Sequence, residues 1–178
     1  MNRNFPLPGT RRGAPNDKQS NGFTLMELLI VIAIILILML MAIPTIGSLK
    51  KSANRTSAIQ SIRAIQQAET MYSTTYPANG YACTLTALGG EQSAGAASPT
   101  AAQLLQGDIT SGFKSGYIFT VACAGKVTVN GVDRFNSYTI TAVPQTVGKS
   151  GDSGFCGDDG GPIKQDPTGG SNCTQLVQ

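Results

Sequence analysis

Glu27 is the side chain whose setting most demands chemistry. It closes the stretch Gly22-Phe23-Thr24-Leu25-Met26-Glu27, and residues 28–43 that follow hold no polar side chain; no charge appears again before Lys50. An acid near the middle of a membrane helix costs roughly 2.5–3.5 kcal/mol on insertion scales, so such a group needs a partner. The four cysteines, Cys83, Cys123, Cys156 and Cys173, are the other reactive set, and all lie beyond the apolar run. With no CxxC and no histidine in the chain, a zinc site lacks its ligands. Two disulfides formed in an oxidising compartment are expected, with free buried thiols as the alternative.

Nothing else in the chain assembles into a catalytic set. There is no histidine, and no pair of carboxylates sits on a rigid element, so no enzyme, cofactor or metal is expected. Gly157-Asp158-Asp159-Gly160 lacks the ligand spacing of an EF-hand and reads as a polar turn. Asp152 and Asp166 nearby leave a looser calcium site in the 152–166 loop as the alternative. The net charge of +3 is carried by residues 1–22, where Arg3, Arg11, Arg12 and Lys18 face only Asp17. The remainder balances nine basic against nine acidic side chains, and its basic residues do not cluster with aromatics, so nucleic acid is not an expected partner.

These residues are carried by four segments. Residues 1–22, with three prolines, three glycines and five charges, read as a basic leader without apolar periodicity. Residues 23–49 form the apolar half of one long helix; residues 23–43, at 1.5 Å per residue, span roughly 31 Å and match a bilayer's hydrocarbon core. That places Glu27 inside the spanning element. Pro44 and Gly47 are expected to break this helix, as a kink or local unwinding or as the end of the membrane segment. Residues 50–76 form an amphipathic half: Ile46, Leu49, Ala53, Ile59, Ile62, Ile65, Ala68 and Tyr72 make one apolar stripe, and Lys50, Lys51, Arg55, Arg63, Gln66, Gln67 and Glu69 the opposite face.

Residues 77–178 form a head poor in large apolar side chains, able to build only a small core. A short helix is expected near residues 101–106, and strands over 117–123, more weakly 126–132, and 137–143, with another starting at Phe155-Cys156. Asn130-Gly131 is a turn signal. The fold class is therefore α+β, a long helix packed on a small antiparallel sheet.

Gly22-Phe23-Thr24-Leu25-Met26-Glu27-Leu28, with the basic leader before it and the apolar helix and Pro44 after it, resembles the class III signal peptide of type IV pilins and type II secretion pseudopilins. The likeness covers residues 18–44; the head is similar only in layout. The resemblance implies a pilin-like fold. It also implies that a prepilin peptidase cuts between Gly22 and Phe23 and N-methylates Phe23. Subunits would then leave the bacterial inner membrane, where the head lies outside the cytoplasm, and stack into a helical fibre with copies of themselves, served by inner-membrane assembly machinery. The implied role is a subunit of a type IV pilus, or alternatively a pseudopilin or a minor pilin. The bland alternative is a signal anchor tethering a periplasmic domain.

Physical chemistry supports the same residues. Gly22 leaves a side-chain-free position suited to a narrow protease cleft. Cutting there creates an α-amino group that is cationic near neutral pH. That cation, on an adjacent subunit, is the expected partner of Glu27, and the pair would set the axial register of otherwise featureless apolar helices; an interfacial carboxylate snorkelling at the membrane edge is the alternative. The leader's basic residues favour a cytoplasmic amino terminus, which Lys50 and Lys51 mildly oppose. Of the three connectivities open to four cysteines, Cys156–Cys173, closing a turn-rich tail, and Cys83–Cys123, tying the post-helix loop to the first strand, are favoured.

Overall fold

The computed structural model describes residues 22–90 and 95–177, the side chains of residues 41–45 excepted. Apart from Gly22, the leader lies outside the described residues. The chain divides into two compact units between Met41 and Ala42.

In the first unit, helix α1 (Leu25–Thr75) begins. Leu25, Leu28 and Leu29 are each more than half exposed, and even Ile35, the best covered of the large side chains up to Leu40, is 44% exposed. Among the described residues no helix is long and apolar enough to cross a membrane. The expected span of residues 23–43 runs into the segment whose side chains are not described.

The helix of 51 residues is continuous through Pro44 and Gly47. A helix that runs on through these positions is compatible with the expected kink. A proline removes one N–H and crowds one carbonyl, while the hydrogen bonds of the neighbouring turns persist.

The second unit holds the head. Its six strands are β1 (Phe113–Lys114), β2 (Tyr117–Val129), β3 (Val132–Pro144), β4 (Gly154–Asp158), β5 (Lys164–Asp166) and β6 (Gln175–Leu176). They form one sheet in sequence order, every neighbour antiparallel. Together with α1 this is the expected α+β, pilin-like architecture. The two strands expected over 117–123 and 126–132 are one, β2. Its turn is Asn130-Gly131, where φ is +53° and +79°, the left-handed pair that a tight hairpin needs. Val132 opens β3 instead of closing a strand.

The sheet is covered by Ala58, Ile62, Ile65, Ala68 and Tyr72 of α1, which are buried with Tyr117, Phe119, Val121, Tyr138, Ile140, Ala142 and Phe155. The spacing 58, 62, 65, 69, 72 follows the helical repeat, so Glu69 lies on the buried stripe and not on the outer face where its charge suggested it. Ile46 and Leu49, expected on the stripe, are 61% and 66% exposed. Polar contacts fasten the flanks. Asn54 Nδ2 donates to the Ser150 carbonyl at 2.8 Å, Gln66 Nε2 to that of Asp158 at 3.1 Å, and Lys51 pairs with Asp152 at 2.9 Å.

Residues 101–106 are not helical as expected. The short helix is α2 (Leu85–Leu88), capped by the Thr84 side chain on the Ala87 N–H. The N–H groups of Ala102, Leu104 and Leu105 donate to the carbonyls of Ala87 and Leu88, satisfying groups that end this four-residue helix. A 3₁₀ turn, Gly107–Ser111, leads into β1.

Candidate functional site

The start of α1 is built by Thr24 and Glu27. Thr24 donates to Glu27 Oε2 from its backbone N–H at 2.9 Å and from its hydroxyl at 2.7 Å, and the Glu27 N–H returns a bond to Thr24 Oγ1 at 3.2 Å. This is a reciprocal capping box, in which each side chain satisfies the other's backbone donor. The carboxylate also sits where the helix dipole favours negative charge. Thr24 is the residue that sequence reasoning missed, although the spacing T-x-x-E ahead of an apolar run signals it.

Phe23 is 79% exposed, immediately before the cap. A Cβ placed on Gly22 would meet nothing within 4 Å. Packing among the described residues therefore gives no reason for glycine there, and the same holds for Gly47. Gly22, Phe23, Thr24 and Glu27 are gathered at one helix end and are exposed among the described residues, while Pro44 and Gly47 lie farther along the same helix.

In the head, Cys83 is bonded to Cys123 and Cys156 to Cys173, with Cα separations of 5.0 and 5.9 Å. The first ties the segment after α1 to β2. The second ties β4 to the tail before β6. Near the first bond lies Glu69, wholly buried, whose Oε2 accepts the Ala82 N–H at 2.8 Å. Its Oε1 has no hydrogen-bond partner among the described residues. Burial, only partly offset by the Ala82 bond, pushes this carboxyl up to about 7. Tyr72, one turn on, has its hydroxyl tied to the Pro99 carbonyl at 2.8 Å, and its ionisation is disfavoured by burial and by Glu69.

The carboxylates of the 152–166 loop are engaged separately. Asp152 meets Lys51, and Asp158 meets Lys164 at 3.4 Å. Asp166 accepts the Thr168 hydroxyl at 2.6 Å and the N–H groups of Thr168 and Asn172, bonds that hold its carboxyl below its ordinary value. Among the described residues no three side chains of ligating type are grouped to hold a metal ion.

Comparison with known proteins gives one match. Residues 17–43 fit a family model described as the prokaryotic N-terminal methylation motif. No curated protein and no solved structure matches the chain. The matched segment contains the capping box, the exposed Phe23 and the apolar first part of α1. The chain thus carries the class III signal peptide of type IV pilins and pseudopilins, the kind of segment on which a prepilin peptidase acts.

Proposed function

We propose that the chain is a structural subunit of a type IV pilus, assembled through α1 after a prepilin peptidase cuts between Gly22 and Phe23 and methylates Phe23. The observation that carries this is the methylation motif over residues 17–43, which takes in the first part of α1, whose described apolar side chains are exposed. Bilayer lipid supplies that cover before assembly, and the same surface of neighbouring copies supplies it afterwards. The absence of any internal need for glycine at 22 supports a constraint imposed by the peptidase cleft.

Once the leader is gone, the ammonium of Phe23 stands four residues before Glu27. In a dry bundle of helices an unpaired charge of either sign is costly, and the ammonium of one copy meeting the carboxylate of the next removes both costs. Glu27 then sets the axial register. The Thr24 cap holds the carboxylate at the helix end, where a neighbour's amino terminus can reach it.

Mass spectrometry of the protein from its native membrane tests the processing. The expected chain begins at Phe23 and is heavier by one methyl group. A chain that retains its first 22 residues would overturn the reading. Electron microscopy with antibody against the head tests the role: long surface filaments are expected, whereas short periplasmic assemblies with a secretion defect on deletion would select a pseudopilin.

A further inference from the structure

The hairpin of β2 and β3 outruns the core. Its paired residues continue from Cys123 and Tyr138 to Val129 and Val132, whereas β4 pairs with β3 only over residues 139–142 and β1 with β2 only over 117–118. Beyond Phe135, which Tyr81 and Asn79 tie through its backbone, neither edge of this arm has a strand beside it among the described residues. A two-stranded ribbon alone is marginal in water.

The arm has two unlike faces. Residues directly opposite in an antiparallel pair share a face. Thr128 and Asp133 are one such pair, bonded at 2.8 Å, and Lys126 joins them at 2.7 Å from Asp133. That face is satisfied internally. The other face carries Val127, Arg134, Val129 and Val132. The three valines are 45–50% exposed, and no ion pair of Arg134 is formed among the described residues. It prolongs the side of the sheet that, nearer the root, buries Phe119, Val121, Tyr138 and Ile140.

A matching surface lies elsewhere on the head. A cleft of about 510 Å³ runs between Ile59 and Arg63 of α1 and Pro162, Ile163, Leu176 and Val177 of the tail. An adjoining cleft shares Arg63 and Gly161 with it and is bordered by Asp159, an exposed carboxylate that forms no ion pair among the described residues. With Lys126 neutralised by Asp133, Arg134 is the arm's unmatched charge, and Asp159 has the opposite sign.

We infer that the valine face of this arm docks in the α1–tail cleft of a second copy of the chain, with Arg134 of one copy against Asp159 of the next. Arm and cleft are different patches, so the contact is heterologous and repeats from copy to copy; within the fibre of the reading above it runs on as a filament and does not close into a ring. The inference rests on the fibre reading above and adds a head-to-head contact to the one between helices.

The test uses the full chain in its native host, with a photo-crosslinking amino acid at Val129 and the charge variants Arg134→Asp and Asp159→Arg. In sheared filaments, crosslinks from position 129 to peptides covering residues 59–66 or 161–177 of another copy are expected. Each charge variant should lower filament yield severalfold at unchanged levels of processed subunit, and the double exchange should restore it. Filaments without those crosslinks, crosslinks to a different protein, or a double exchange no better than the singles would overturn the contact while leaving the fibre reading intact. A wild-type chain found in no polymer would overturn both.

Discussion

Thr24 and Glu27 satisfy one another across the first turn of α1, with the Thr24 hydroxyl 2.7 Å from the carboxylate that its own backbone N–H also reaches at 2.9 Å. The acid beside the apolar run therefore has a local partner before any assembly. An N-cap of this type contributes about 0.5–2 kcal/mol. Its larger effect is positional, since it fixes the carboxylate at the helix end where a new amino terminus would appear.

Replacement of that acid separates processing from polymerisation. Glu27→Gln should leave removal of the leader largely intact, because the scissile bond lies four residues away, and should strongly reduce filament yield. Immunoblots of whole cells against sheared fibres check both arms. Normal fibre yield from this variant would rule out the register role.

The buried carboxyl at Glu69 makes head stability depend on pH. Its value rises from an ordinary 4.5 in the unfolded chain to about 7 in the fold. Between these values the folded state binds more proton than the unfolded one, so stability falls as pH rises. It is greatest below pH 4.5 and declines up to about pH 7, by about 3 kcal/mol if no other group titrates. Thermal melting of the full chain in detergent should show this fall, and Glu69→Gln should flatten it.

Reduction should loosen the tail before the rest of the head. The Cys156–Cys173 bond closes a loop of 17 residues, which is worth about 3 kcal/mol by chain entropy. Hydrogen exchange in the presence of reductant should rise first over β5 and β6. An unchanged melting curve with all four thiols free would refute a stabilising role.

Ile65 is fully buried where α1 crosses the sheet. Ile65→Ala should cost about 2–5 kcal/mol, the range for truncating a large core aliphatic. Ile46→Ala, at a position 61% exposed, should leave head melting nearly unchanged. Comparing the two melts separates residues that hold the head from those left to face lipid or another copy.

Much of this was legible in the sequence because it depends on local rules. The apolar run, the helical repeat from Ile62 to Tyr72, the Asn130-Gly131 turn and the strand alternation of Tyr117, Phe119 and Val121 are each set by neighbours a few residues away. What escaped depends on distant partners. The charge of Glu69 predicts the solvent face, yet its spacing puts it on the buried stripe, where it accepts the Ala82 N–H. Residues 101–106 resembled a short helix, but their N–H groups serve the end of α2. The length of the β2–β3 arm was hidden because its outer half lacks the burial that sharpens alternation.

On the proposed membrane-inserted reading, both sulfur bridges also bear on orientation. Basic residues lie on either side of the apolar run, so charge alone does not firmly choose which end is retained in the cytosol. A copy inserted backwards would present its four thiols to a reducing milieu and lack both clamps at once. Such a molecule opens more readily and falls to proteases sooner. On the proposed pilin reading the two bridges would thereby disfavour inverted copies, because only a head in an oxidising compartment keeps both clamps.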